Sequence, residues 1–472
     1  MTRDCSFLED LSLAADQVSF ATGPRESRAA DWGAERYGRR VTPDAVVWPE
    51  STADVAAVLE AATDRGVPVT PYAAGTGLEG NAVPARRGIS LDLTRMDNVR
   101  DYRPDDFQID VGPGIIGSAV DEYVASDGLF FPPLPSSGDV ATVGGMLATD
   151  ASGMRTVKYG EVSDWTRRLE VVLADGTVIE TGTRAAKSSS GYNLTDLFVG
   201  SEGTLGVITE ATLELAGRPE QIRGGRAVFG SLDDATAAVS DAIRSGVDVA
   251  TIELIDELSA RMANAYLDAA LPASPMVFLE FHANHGVDAE IDLCELIFED
   301  HGVERFEIAD EAAMTELWTA RTELAPATSA YDPDREMIHP GDVTVPISAY
   351  ADLVRFAKDL EADHDLLIPC FGHAGDGNLH YTVLVDHDDP EELALGEDLY
   401  RRVVRRAIDL DGTATGEHGI GAGKQAYLEL EHGDAVDVMR AIKLALDPTD
   451  TLNPGKLFPE TRAGGRIEGR RR

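Results

Sequence analysis

Val67-Pro68-Val69-Thr70-Pro71-Tyr72-Ala73-Ala74-Gly75-Thr76-Gly77-Leu78-Glu79-Gly80-Asn81 is the stretch from which the architecture is read. It begins as a strand and runs into a loop dense in glycine. Upstream, Ala45-Val46-Val47-Trp48 reads as a short strand ended by Pro49. Ser51 then caps a helix with Asp54 in its first turn. Val55, Val58, Leu59 and Ala62 follow at helical spacing, and Gly66 stops the helix. A β–α–β unit therefore delivers the chain to the glycine loop. No helical run follows it, so it is neither the dinucleotide fingerprint nor a P-loop. Successive backbone N–H groups in such a loop can form a nest for a pyrophosphate. Read alone, it is equally an ordinary turn.

Further along, Ile89 to Leu93 and Gln108 to Val111 alternate as strands, and Ala119 to Ala125 reads as a helix. Thr142-Val143-Gly144-Gly145 opens a short helix of small residues, where backbone can approach a ligand or pack tightly on a sheet. Asp175-Gly176 sits at the tip of a hairpin. Gly200-Ser201-Glu202-Gly203-Thr204-Leu205-Gly206 is a third glycine loop, leading into a strand from Val207 to Leu215. Composition shifts at Gly217-Arg218-Pro219, the expected domain boundary. Beyond it strands and helices alternate as a split β–α–β layer of α+β type. Glu311 to Glu323 is predicted to be a helix carrying Arg321, and Asp342 to Pro346 a strand.

The second half centres on Gly372-His373-Ala374-Gly375-Asp376-Gly377-Asn378-Leu379-His380, read as strand, tight turn and strand. Gly416-Glu417-His418-Gly419 follows downstream. A lone pair of histidines would more often serve hydrogen bonds within a turn. Dense glycines, which let backbone approach a bound group, and the second His/Glu cluster point instead to a metal or to catalysis. Two imidazoles and a carboxylate suit zinc, manganese or iron and leave coordination positions open.

The chain has 472 residues, with 83 acidic against 41 basic residues and a net charge of −42. Such a surface repels nucleic acid and anionic membrane, which excludes both as partners. It also fits a halophilic protein, because molar salt screens self-repulsion. Hydrophobic residues make up 43%, which excludes wholesale disorder. Cys5, Cys294 and Cys370 make neither a disulfide framework nor an iron–sulfur motif, so free thiols in a reducing cytoplasm are expected. No signal peptide and no transmembrane run is read. The Gly/Arg-rich tail 461–472 holds Ile467-Glu468-Gly469-Arg470 and reads as a protease site or fusion scar, set apart from the fold and expected to be disordered.

Taken together, the three glycine loops, Tyr192-Asn193-Leu194-Thr195, the His-x6-His stretch, Gly416 to Gly421 and the closing Asn453-Pro454-Gly455-Lys456 carry a resemblance. The chain resembles the FAD-linked oxidase family with the vanillyl-alcohol-oxidase type of fold, over roughly residues 40 to 458. Within it the chain looks most like the D-lactate dehydrogenases and the large glycolate oxidase subunit, with D-2-hydroxyglutarate dehydrogenase a close relative. The resemblance implies an α+β fold in which a two-part FAD-binding domain at 40–218 meets a ferredoxin-like α+β cap at 219–446. A segment at 447–460 would return to the FAD domain.

By the same resemblance, Pro71, Ala74, Gly75, Thr76, Gly77 and Leu78 would hold the pyrophosphate of a non-covalent FAD. Pro135, Thr142, Gly144, Gly145, Ser152, Gly153, Glu202, Gly203, Gly206, Ile208 and Asn453 would line the rest of the cofactor. His373, His380 and Glu417 match positions that bind a divalent metal. Arg321 and Asn378 match those that hold the substrate carboxylate and hydroxyl, and His418 matches the base. Two departures bear on substrate. The hydroxyglutarate enzyme has a lysine shortly before the matching aspartate, where this chain has Ile338-His339-Pro340-Gly341-Asp342. It also has a threonine where this chain has Ala325. Both favour a small D-2-hydroxy acid, D-lactate first, with glycolate or D-2-hydroxyglutarate as the alternative. Electrons would pass to a separate acceptor, either a quinone, an electron-transfer flavoprotein, a partner subunit or oxygen. A homodimer in the cytoplasm, peripheral to the inner membrane face through that acceptor, is expected. A non-redox flavin enzyme of the same superfamily is the rival reading.

Overall fold

The computed structural model describes residues 2–36 and 39–459; the expected tail at 461–472 lies outside them. The opening β–α–β unit forms as the sequence dictates. Ser51 accepts the N–H of Asp54 and caps the helix Thr52–Arg65, and Gly66 ends it in the left-handed conformation at φ 61°. Val55, Val58 and Leu59 are buried beneath a four-stranded sheet. Its order is Val18–Ser19, Ala45–Val47, Ile89–Asp92, Val69–Tyr72, with the last three parallel. A five-stranded antiparallel sheet follows, in the order Val99–Arg103, Gln108–Val111, Val207–Glu214, Thr166–Val172, Val178–Gly182.

A seven-stranded antiparallel sheet makes the second half. Gln221–Phe229, Thr251–Ile255, Met276–Ala283 and Val303–Ile308 lie in the spatial order 4-1-3-2, with helices Leu232–Arg244 and Val287–Asp300 on one face. That is the ferredoxin-like order. Three more strands extend it beyond Thr251–Ile255: Cys370–His373, Asn378–Tyr381 and Gly341–Thr344. Strand period two sorts the side chains. Ile252 and Leu254 enter the helical core, while Ile255 and Phe371 belong to a cluster on the other face with Leu317 and Leu324. Glu253 and His373 share that second face.

Several elements are absent from the sequence reading, among them the short helix Leu324–Ala330. Val99–Arg103 and Val303–Ile308 are strands that the reading passed over. Both are sheet edges carrying charge, the usual way an edge is kept from further pairing. Gln425–His432 is a further helix. The return to the first half also begins earlier than 447. The N–H groups of Ala422 and Gly423 bond Glu79 O at 2.8 and 2.9 Å. Lys443 Nζ bonds Thr204 O at 2.8 Å, and Ile442 and Leu446 pack into the core of the five-stranded sheet. Leu452 then bridges Val69. Among the described residues, no helix is long and apolar enough to cross a membrane.

Candidate active site

The hairpin Cys370 to Tyr381 pairs Phe371 with His380 across its strands. Its tip needs Gly377: φ is 85°, and a Cβ there would lie 2.0 Å from Val345 O. Register with the flanking strands sets the neighbours, placing Glu253 opposite His373 and Asp342 opposite His380. Glu417 arrives from the 415–419 loop. His373 Nε2 lies 3.3 Å from His380 Nε2 and 3.5 Å from Glu417 Oε1, and His380 Nε2 lies 3.3 Å from the same oxygen. Ligand distances of about 2.0–2.1 Å give a tetrahedral edge of roughly 3.3 Å, so the three atoms already stand at the spacing of metal ligands. His373 Nδ1 is engaged by Glu253 Oε1 at 2.6 Å, which leaves Nε2 as the coordinating atom. The surroundings favour positive charge here: burial opposes it, yet Glu253 and Glu417 push His373 well above the ordinary imidazole value. Glu417 is likewise held low by His373 and His380 against the cost of burial. The residues fit a divalent cation.

Asp342, His380 and His418 form a second candidate group. Asp342 is committed elsewhere. Its Oδ2 accepts the N–H groups of Gly416, Glu417 and His418 at 2.9, 2.9 and 3.0 Å, and the Thr415 hydroxyl at 3.1 Å. Its Oδ1 accepts from Asn378 Nδ2 at 2.7 Å. One buried carboxylate therefore folds the loop that carries Glu417 and His418. Gly416 is required there, since a Cβ would meet Asn378 Nδ2 at 2.1 Å. Sequence reasoning assigned no role to Asp342 or Glu253.

The imidazole of His418 stacks on His380, with ring centroids 5.6 Å apart and planes at 15°. Burial pulls its pKa down to about 4, against the opposing pull of Asp342, so it is neutral at neutral pH. Glu417 and His418 both line a cavity of about 910 Å³. Pro71, Ala74, Gly75, Thr76, Gly77, Leu78, Pro135, Thr142, Gly144, Gly145, Ser152, Glu202, Gly203 and Asn453, all expected to face the cofactor, lie on its wall. Among the described residues, no N–H from Ala74 to Leu78 donates to a protein acceptor. That row of free donors suits a pyrophosphate. Glu202 and Asn453 also shape the wall from behind. Glu202 accepts the N–H groups of Ile420 and Gly421, and Asn453 Nδ2 bonds Asn81 O and Glu202 O at 3.0 and 2.7 Å.

Three expected cofactor residues are not on the wall. Gly153 packs against Leu134 O, where a Cβ would approach to 2.8 Å. Gly206 has Val171 at 2.4 Å from a Cβ position, and Ile208 is buried in the sheet core. Close packing accounts for all three. Arg321 is placed differently from expectation too. It does not line the cavity; Thr322 and Ala325 beside it do. Its Nε bonds Glu253 Oε2 at 2.5 Å, and its Nη2 is buried without a partner among the described residues. Asn378 Oδ1 is also buried and unpartnered.

A cavity walled by three glycine loops, with Glu417 of the His/His/Glu cluster on its lining, marks a flavoprotein. The FAD-binding domain family matches residues 43–182, and the C-terminal domain of FAD-linked oxidases matches residues 218–457. The chain belongs to the FAD-linked oxidase family. It is 37% identical over 457 residues to the probable mitochondrial D-lactate dehydrogenase of Danio rerio, covering 95% of this chain and 91% of that one. It is 35% identical to glycolate oxidase subunit GlcD of Bacillus subtilis, covering 94% and 96%. The fold is the vanillyl-alcohol-oxidase type: p-cresol methylhydroxylase superposes with a TM-score of 0.75 at 17% identity, over 94% of both chains.

Proposed function

We propose that the protein oxidises a small D-2-hydroxy acid, D-lactate first, to the 2-oxo acid, using FAD and a divalent metal. The observation that carries this is the convergence of His373, His380 and Glu417, with ligand atoms within 4.8 Å of one another, beside a cofactor cavity that Glu417 itself lines. When bound, FAD would supply the hydride acceptor, and a cation held by His373, His380 and Glu417 would supply Lewis-acid polarisation of the substrate. The chain's own groups supply the rest. Arg321 Nη2 is a spare buried donor for the carboxylate. Asn378 Oδ1 is a spare acceptor for the hydroxyl. Neutral His418 takes the hydroxyl proton. Ala325, Pro326 and Pro340 give the cavity a small apolar face that suits a methyl group rather than a second carboxylate. Electrons leave to a separate acceptor: a quinone, an electron-transfer flavoprotein or a partner subunit. The proposal includes a cytoplasmic, halophilic protein, in keeping with its charge.

The test is the visible spectrum of purified protein in high salt without oxygen, recorded after adding D-lactate, L-lactate, glycolate or D-2-hydroxyglutarate. D-Lactate is expected to bleach the oxidised flavin band most efficiently. A band that none of the four bleaches would overturn the redox reading.

A further inference from the structure

The seven-stranded sheet sets Glu253 directly opposite His373. Glu253 is fully buried, and its two oxygens serve two masters. Oε1 faces His373 Nδ1 at 2.6 Å, and Oε2 faces Arg321 Nε at 2.5 Å. Arg321 and His373 are themselves 5% and 4% exposed, so this is a dry, charged trio. Resting on the function proposed above, we propose that Glu253 is a positioning residue that presents the metal ligand and the substrate-binding arginine together. By accepting from Nδ1 it fixes the imidazole tautomer whose Nε2 lone pair faces His380 and Glu417. By holding Nε it fixes the plane of the guanidinium, leaving Nη2 as the arm without a protein partner. The Phe371 ring, 5.0 Å from Arg321 Cζ, supports that plane from one side.

Because both oxygens are taken, Glu253 is neither a ligand nor a base. With one oxygen on the Nδ1 side of His373 and the other on the guanidinium of Arg321, it acts as an acceptor in both directions. A glutamine cannot copy this. Its amide has one acceptor oxygen and one NH₂ group. If the NH₂ meets His373, the ring proton moves to Nε2 and blocks coordination. If it meets Arg321, two donors oppose each other and the guanidinium is displaced.

The experiment titrates Zn²⁺ and Mn²⁺ calorimetrically into chelator-treated flavoprotein, comparing wild type with Glu253→Gln and Glu253→Asp. It also measures KM and kcat for D-lactate. E253Q is expected to keep its flavin band and to bind the cations about 10–100-fold more weakly, the usual cost of losing an outer-shell partner, with KM raised. E253D, with its charge kept and its reach shortened, should fall between. Wild-type metal affinity and KM in E253Q, even with a lowered melting temperature, would reduce Glu253 to a structural ion pair and overturn the proposal. Should E253Q fail to fold, the same outcome in E253D overturns it. Failure of the wild type to take up either cation would instead overturn the metal reading itself.

Discussion

His418 and His373 belong to one small site, both in reach of Glu417, yet their surroundings give them opposite charge preferences. His373 sits between two carboxylates that stabilise positive charge. Burial dominates at His418, whose nearest carboxylate, Asp342, is 3.7 Å away and already saturated by backbone donors. In the proposed role of base His418 must be unprotonated to act, and its pKa of about 4 keeps it so across the neutral range. The rate with D-lactate is therefore expected to hold from neutral pH down to about pH 5 and to fall through about pH 4. Linkage gives a second sign. The folded-state value of about 4 lies below the ordinary 6.5, so the native state binds fewer protons than the unfolded chain between those limits. Stability from this group is present above about pH 6.5 and is lost as pH falls toward 4. Melting temperature against pH should be less steep in that window for His418→Gln; an unchanged slope would reassign the titration. For comparison, His373→Ala should retain the flavin band and lose metal by more than the roughly 10–100-fold expected of an outer-shell change.

The loop 415–419 shows how one element hangs from a single distant side chain. Charge-assisted hydrogen bonds are roughly twice as strong as neutral ones, and Asp342 Oδ2 receives three from consecutive backbone N–H groups. Asp342→Asn is expected to destabilise the protein by about 2–4 kcal/mol and to lower metal bound per flavin, because Glu417 and His418 ride on that loop. Denaturant midpoints and metal analysis of the folded fraction check both. Unchanged metal content would separate the loop from the site. The same element marks what sequence reveals. His373, His380, Glu417 and the glycine loops are legible because each lies in a short local pattern of turn residues and chemistry-bearing side chains. Glu253 and Asp342 lie 120 and 38 residues from the histidines they face across the sheet, His373 and His380, and only sheet register brings them there. A faint signal did exist: Glu253 is a lone charge in the apolar strand Thr251–Ile255. Gly206 and Ile208 fail in the opposite sense, since glycine and small apolar residues pack a core as readily as they admit a cofactor.

At the scale of the whole molecule, the excess of acid has to coexist with a site that also gathers carboxylates. Glu253, Asp342 and Glu417 are buried or nearly so and matched by His373, His380, Arg321 and Lys424 within contact distance, so salt outside reaches them little. The remaining surplus, most of the net −42, faces solvent. Exposed like charges repel over a Debye length of roughly 10 Å at 0.1 M salt and roughly 3 Å at 1 M. Raising potassium chloride between those limits should therefore raise the melting temperature by several degrees while leaving the metal affinity of the folded enzyme almost constant. The two responses separate surface from site. A melting temperature that is flat or falling with salt would show that self-repulsion is not what limits stability, and would remove the case for halophily. A metal affinity that drops in step with salt would show that the carboxylates of the site are open to solvent, against their burial.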